Sequence, residues 1–477
     1  MAAPMDPTSA AFMFAESRQQ PMHVGGLQLF RRPEGAGRGF VKEMYDDMLR
    51  YDEVAPLFDR RPHRALSTVG AWTWAADQQL DLEYHVRHSA LPRPGRVREL
   101  LELCSRLHST RLATERPLWE VHVIEGLRDG RVAMYTKMHH ALIDGVSSMR
   151  LLQSVLSTDS DERGMAPVWS AVHGRDRRGH APSTSAPEPA SPTASPPHLL
   201  DLPLSAFQSA LTVATEAAGM PGALVRTLAR GVRNETSALS LHAPRTAINK
   251  VITGSRRFAA QDWPMERLKA VGRASGTTIN DVVLAMCSGA MRRYLDELGA
   301  LPDTSLVAMV PVGLRARSAQ SASMSGGNAV GAVMVRLGTD VADPAVRLHG
   351  IHTSMADGKD ALSSMTPAQI LAMSALGLAP AVLAPMLRLQ GIARPPFNLI
   401  ISNVPGPKDP LHSNGALLEG IYPLSIPIHG MGLNITCTSY ASTMNFGLTG
   451  CRRTVPHLQR LLIHLDDELT ALERAVA

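Results

Sequence analysis

The stretch "HGRDRRGHAPSTSAPEPASPTASPPH", His173 to His198, limits the possible folds of this chain more than any other segment. It is rich in Pro, Ser, Ala and Thr and nearly free of large apolar side chains. Such a segment cannot bury enough surface to offset its ordering entropy, so an extended or disordered linker is expected. The chain has 477 residues, long for one compact domain. The linker at 173–198 divides it into an N-terminal part, 1–172, and a C-terminal part, 199–477.

Both parts mix helix and strand. In "RVRELLELCSRLHSTRL", Val97, Leu100, Leu101, Cys104 and Leu107 recur at helical spacing. Trp119, Val121 and Val123 alternate with Glu120 and His122, a strand pattern. An Asp129–Gly130 turn and a second strand, "VAMYTKM", follow. After Gly145, Val146, Met149, Leu152 and Val155 return to helical intervals. The C-terminal part opens with helical material from Leu204 to about Val232. "TTINDVVLAMCSGAMRRYLDEL" reads as a strong helix with one apolar face, and Asp281 in its first turn suits the positive end of the helix dipole. "SLVAMVPVGL", "NAVGAVMVRLG" and "FNLIISNV" read as strands. A hairpin turns at Ala441–Ser442, and a last amphipathic helix begins after Thr454. Helices and strands without strict alternation predict α/β or α+β layers around large mixed sheets.

Apolar residues make up 44% of the chain, enough for a core, while aromatics are only 4%. Met, Ala and Leu dominate, which suits either a flexible aliphatic ligand or simply an Ala-rich coding bias. The net charge of +5 fits attraction to an anionic membrane surface or a phosphate-bearing cofactor. No basic patch interleaved with aromatics accompanies it, so nucleic acid is not an expected partner. Cys104, Cys287, Cys437 and Cys451 form no C-x-x-C pair and sit in apolar runs. They read as reduced, buried residues of a cytoplasmic protein. The N-terminus lacks the pattern of a secretory signal. Ile370 to Leu387 carries no charge, but Pro380 and Pro385 interrupt it; a buried or membrane-touching helical segment is expected rather than a span.

The sharpest local signal is "TKMHHALIDGVSS", Thr136 to Ser148. On a strand His139 and His140 point to opposite faces, and no third ligand of a metal site accompanies them, so no metal is expected. Two readings remain level on the pattern alone. One is a pair of core imidazoles with Asp144 as a helix N-cap. The other is a catalytic site in which a neutral imidazole acts as general base. In that reading Asp144 pairs with a basic residue and pins the strand-to-helix turn, while Gly145 lets the backbone turn tightly and leaves room for a ligand.

"HHALIDG" has the H-H-x-x-x-D-G form of the superfamily that includes chloramphenicol acetyltransferase, carnitine acyltransferases and peptide-synthetase condensation domains. The flanks narrow the resemblance. "SAAFMFAESRQQPMHVGGLQLF", "RPLWEVHVIEGL", "TTINDVVLAMCSGAMRRYL", "PVGLRAR", "GGNAVGAVMV", "ISNVPGP" and "GLNITCTSY" are together similar to the bacterial wax ester synthase/acyl-CoA:diacylglycerol acyltransferase family. The resemblance is collinear over nearly the whole chain outside the linker. It implies two chloramphenicol-acetyltransferase-like subdomains, with mixed sheets flanked by helices and a channel between them. It implies His140 as the base, with His139, Asp144 and Gly145 shaping the site. Trp119, in the P-L-W element, is implied to support the hairpin beside the site and line the substrate region. Asn280 and Asp281 match the family's N-D element. Asn280 is either a donor to substrate and oxyanion or a capping residue. Ser402 and Asn403 are implied to lie at a tight turn facing the site.

The implied reaction joins a long-chain acyl-CoA to a fatty alcohol or to diacylglycerol, with no acyl-enzyme and no cofactor beyond acyl-CoA as substrate. No G-x-S-x-G elbow and no phosphate loop appears. Substrates that live in lipid imply peripheral attachment to the inner membrane or to lipid inclusions. The rivals are a condensation-like acyltransferase using a carrier-bound donor and a non-enzymatic droplet coat. The first calls for adjacent carrier domains; the second gives no reason for the H-H-x-x-x-D-G turn.

Overall fold

The computed structural model describes residues 3–64, 70–172, 243–313, 330–363 and 395–477. The linker, the helix expected from Leu204 and the Ile370–Leu387 stretch lie outside the described residues.

The N-terminal half begins with β1 (Ala3–Pro4), α1 (Pro7–Ala15), β2 (His23–Arg31) and α2 (Phe40–Leu49). Next come β3 (Arg60–Arg64), β4 (Trp72–Ala76), the short α3 (Leu82–His85), β5 (Val86–Ala90) and α4 (Val97–Ser109). The expected hairpin is β6 (Trp119–Glu125) and β7 (Val132–His139), and α5 (Gly145–Gln153) follows it. The C-terminal half runs β8 (Arg256–Pro264), α6 (Met265–Ser275), α7 (Ile279–Glu297), β9 (Val307–Gly313), β10 (Val330–Arg336) and α8 (Pro344–Ser363). It ends with β11 (Leu399–Val404), β12 (His412–Ser413), β13 (Ala416–Leu424), β14 (Leu433–Tyr440), β15 (Thr443–Cys451) and α9 (Arg460–Val476).

Among the described residues these strands make two six-stranded sheets and a small three-stranded one. The first large sheet has the order β12-β13-β2-β7-β6-β5, antiparallel except where β5 runs parallel to β6. The second has the order β10-β9-β11-β14-β15-β8, with β11 parallel to both of its neighbours. The architecture is the expected α/β arrangement of mixed sheets flanked by helices. The halves interlock, however. Strand β13, from the C-terminal half, pairs along β2 in the N-terminal sheet, so that sheet is not built from residues before the linker alone. Where β13 passes β15, a Cβ at Gly447 would collide with the Pro423 carbonyl, so glycine permits the approach.

Two expectations change on contact with the packing. The α7 helix is buried all round from Asp281 to Met291 rather than along one face, because α6, α8 and α9 all pack on it. Burial of each large apolar side chain there contributes about 1.5–3 kcal/mol. The last helix starts at Arg460, later than expected, although Val455 and Leu458 before it are still buried. Strand β8 is the edge of the second sheet, and α4 covers it. Ser105 and Ser109 on α4 accept the N–H groups of Phe258 and Arg256 at 2.9 and 2.8 Å, which satisfies an otherwise open edge. All four cysteines are buried and unbonded to one another.

Candidate active site

The double histidine straddles the end of β7. His139 is its last strand residue, paired with His23 of β2, and His140 opens the turn into α5. The three residues that follow, Ala141, Leu142 and Ile143, are buried in the N-terminal core cluster. They anchor the turn, and Leu142 N–H closes on the His139 carbonyl at 2.9 Å. Val404 at the end of β11 and Ala441 in the β14–β15 turn pack on the same cluster, so both halves of the chain meet beside the motif.

The two imidazoles have separate jobs. His139 is wholly buried, and its Nδ1 accepts the Ala141 N–H at 3.0 Å. Its proton therefore sits on Nε2, which faces Glu16 Oε1 at 3.7 Å. Burial, then the neighbouring His140 and Arg111, push its pKa down to about 3, so it is neutral. His140 is less buried than His139. Its backbone N–H donates to the Met22 carbonyl at 2.8 Å, and its ring stacks on Phe12 at 4.2 Å between centroids. Burial among protein atoms lowers its pKa below the usual imidazole value, against a hydrogen bond to its own backbone carbonyl and the charge of Asp144. A neutral imidazole carries one unprotonated nitrogen that can take a proton.

Asp144 is the N-cap of α5. Its carboxylate accepts the Ser147 N–H at 2.7 Å and the Ser147 hydroxyl at 3.1 Å. Among the described residues it forms no ion pair, and the role it shows there is that of a cap. Gly145 is the first residue of α5 and is exposed. Its backbone is not left-handed, so a tight turn does not demand glycine; a Cβ there would meet open space within 4 Å. Gly145 thus leaves the N-terminus of α5 exposed, where the helix dipole favours negative charge.

Three other expectations are revised by the geometry. Trp119 is fully enclosed: its Nε1 donates to the Phe58 carbonyl at 2.8 Å, and its ring lies between His85 and Trp169. It holds the hairpin in the core and has no face left for substrate. Ser402 and Asn403 lie within strand β11, opposite Thr436 and Cys437 of β14, rather than in a turn. Successive strand residues point to opposite faces, so they cannot both face one site. The turn comes after Val404, where Gly406 N–H reaches Ser439 Oγ at 3.1 Å. Asp281 is the N3 acid of a capping box with Thr278, and its Oδ2 also meets His352 Nδ1 at 2.7 Å. It is buried and engaged, so its role lies in holding the start of α7. Because Thr278 is the cap, Asn280 does not serve that function; it is half-buried on the first turn.

The sequence reading assigned no role to α1 and the residues after it. Ser9 Oγ donates to the Ala141 carbonyl at 2.8 Å, and Phe12 supplies the stacking face for His140. Glu16 accepts the Met22 N–H at 3.3 Å and pairs with Arg111 at 3.4 Å. Burial raises its pKa, opposed mainly by Arg111. The local pattern of this cover is the uncharged run before Glu16, which reads equally well as core, and the resemblance in "SAAFMFAESRQQPMHVGGLQLF" gave its residues no role.

Comparison with known proteins agrees with this construction. The wax ester synthase/diacylglycerol acyltransferase catalytic domain matches residues 5–283, and the family's C-terminal domain matches 326–473. A Mycobacterium tuberculosis protein, provisionally named a diacylglycerol O-acyltransferase, is 49% identical over 99% of this chain and 100% of its own length. A similarly named Mycobacterium bovis protein is 46% identical over 99% of each chain. The solved wax ester synthase/diacylglycerol acyltransferase from Marinobacter aquaeolei VT8 is 41% identical and superposes with a TM-score of 0.76, covering 99% of this chain and 100% of that one. The first condensation domain of the CDA synthetase, 17% identical with a TM-score of 0.57 over 100% of this chain and 96% of its own, shares the fold. The H-H-x-x-x-D-G turn, its setting between two mixed sheets and these matches over the whole length lead to one conclusion: the chain belongs to the wax ester synthase/diacylglycerol acyltransferase family and is an acyltransferase.

Proposed function

We propose that His140 is the general base in transfer of a long-chain acyl group from acyl-CoA to the hydroxyl of a fatty alcohol or diacylglycerol. The observation that carries this is the contrast within the pair: His139 is sealed, while His140 is less buried, neutral and stacked on Phe12. An alcohol is too weakly acidic to attack a thioester unaided near neutral pH. The unprotonated ring nitrogen of His140 takes its proton as the oxygen–carbon bond forms. The tetrahedral oxyanion then collapses, the carbon–sulfur bond breaks, and the departing thiolate recovers the proton from the imidazolium. No acyl-enzyme and no cofactor enters this scheme. Asn280, half-buried and free of the capping role, is the proposed donor to the oxyanion. The open space at Gly145 is the proposed approach for the thioester, in a channel between the two halves. Attachment to the membrane surface is peripheral in this reading. Among the described residues no helix is long and apolar enough to cross a membrane.

The test is thiol release from palmitoyl-CoA with and without hexadecanol or diacylglycerol. Release should depend on the acceptor, and His140→Ala should abolish it in protein that melts like the wild type. Acceptor-independent release, or an active His140→Ala enzyme, would remove the proposal.

A further inference from the structure

Helix α1 has two unlike sides. Its nine residues, PTSAAFMFA, carry no charge. One side holds the site through Ser9 and Phe12, and Met13 is buried beside them. The other presents Phe14, which is 65% exposed, the most exposed large apolar residue among those described. A lone exposed Phe needs no explanation. This one has company: Trp72 of β4 meets it edge-on at 6.4 Å, and the Arg64 guanidinium lies 5.8 Å from the Phe14 ring and 5.1 Å from that of Trp72. Strand β3 reads Arg60-Arg61-Pro62-His63-Arg64 and is an edge of the three-stranded sheet. Arg60 stacks over Trp74 at 4.7 Å and is the arginine that faces acids, Asp6 and Asp59. An exposed Phe14 beside a half-buried Trp72, with the exposed Arg64 against both rings, matches the chemistry of a bilayer interface, where aromatic rings settle at headgroup depth and guanidinium groups meet phosphate.

We propose that this face, formed by Phe14, Trp72 and Arg64, docks the protein on a phospholipid bilayer carrying anionic headgroups. The proposal rests on the reading above that the acceptor is a lipid, and it gives that lipid a direction of entry. The same helix faces the bilayer on one side and His140 on the other, and a helix is only about 10 Å across. A lipid alcohol leaving the bilayer at α1 therefore starts close to the base.

The experiment is co-sedimentation of the full-length protein with vesicles of phosphatidylcholine alone or mixed with phosphatidylglycerol. Binding should favour the mixed vesicles and fall as salt rises. Phe14→Ser and Arg64→Glu should each weaken it roughly tenfold. Ile463→Ser, which alters a comparably exposed apolar residue on α9 (61%), should leave it unchanged. Thermal melting of each variant separates loss of binding from loss of fold. Wild-type binding by both variants, equal loss in Ile463→Ser, or equal binding to neutral vesicles would each overturn the proposal. Binding to a triacylglycerol emulsion but to no bilayer would do the same. Vesicle binding needs no turnover, so failure of docking and failure of the catalytic assignment are read separately.

Discussion

At His140 three influences meet. Burial disfavours the imidazolium, while the residue's own carbonyl and the nearby Asp144 carboxylate favour it. Burial wins, so the ring stays neutral to lower pH than an ordinary histidine with a pKa near 6.5. The sign follows directly. A base with a lowered pKa loses function only when pH falls through that lowered value. The acid limb of kcat/KM is therefore expected below pH 6.5, with a plateau through neutrality. A limb at or above the ordinary value would mean that another group controls the rate. Asp144→Ala should move the limb further down, because it deletes a charge that supports the imidazolium. It should also cost about 1 kcal/mol through loss of the α5 cap. Residues of this kind were legible because the motif is contiguous: strand end, two imidazoles, three apolar anchors and a cap lie within seven positions. Trp119 was not, because P-L-W gives residue types but not which faces of the indole are already covered by His85 and Trp169.

Among elements, the hairpins and helices with strong periodicity formed where their patterns place them, and the misses came from surroundings. In β6 the alternation of Val with Glu120 and His122 does not mark an outer face, because both polar residues are buried. Lys137 Nζ on β7 reaches Glu120 at 2.9 Å, and His122 meets the same carboxylate at 3.3 Å, so the sheet carries an internal ion cluster. Lys137 and the His122 hydrogen bond hold the Glu120 carboxyl near 2, against burial. At the start of α7 the sequence showed a dipole-compatible Asp281 but not its partner. Thr278 and Asp281 bond reciprocally, and His352 arrives from α8, which no local pattern reveals. Thr278→Ala is expected to lower stability by about 1 kcal/mol in chemical denaturation with little change in acceptor-dependent turnover. A stability loss within error would show that the box is redundant to the packing of α7. A selective loss of turnover would place the helix start nearer the chemistry than its cap role requires.

For the whole molecule, the linker divides the chain into two parts, and strand β13 of the second completes a sheet of the first. The order of elements cannot reveal this, because β13 finds β2 across almost four hundred positions and the matching signal is a generic apolar strand. One hydroxyl helps to fasten the crossing. Tyr440, in the last position of β14, accepts the Leu411 N–H at 2.9 Å and donates to the Leu418 carbonyl at 2.7 Å, all three groups being buried. Leu411 and Leu418 flank the entry of β13 into the N-terminal sheet, so this contact ties the sheet of one half to the crossover that completes the other. Tyr440→Phe keeps the ring and its packing but leaves a buried N–H and a buried carbonyl each without that partner. The cost of such orphaned groups is about 1–3 kcal/mol. Because Ala441 beside it packs on the cluster that anchors Ala141 to Ile143, the loss should reach the site as well. The expected phenotype is a lower melting temperature together with reduced turnover, while a variant at the far end of α9, such as Arg474→Ala, changes neither. If Tyr440→Phe melted and turned over like the wild type, the crossover would be held without this hydroxyl, and the coupling between the two sheets would have to be sought along the β13–β15 contact and the Tyr422–Asp262 hydrogen bond instead.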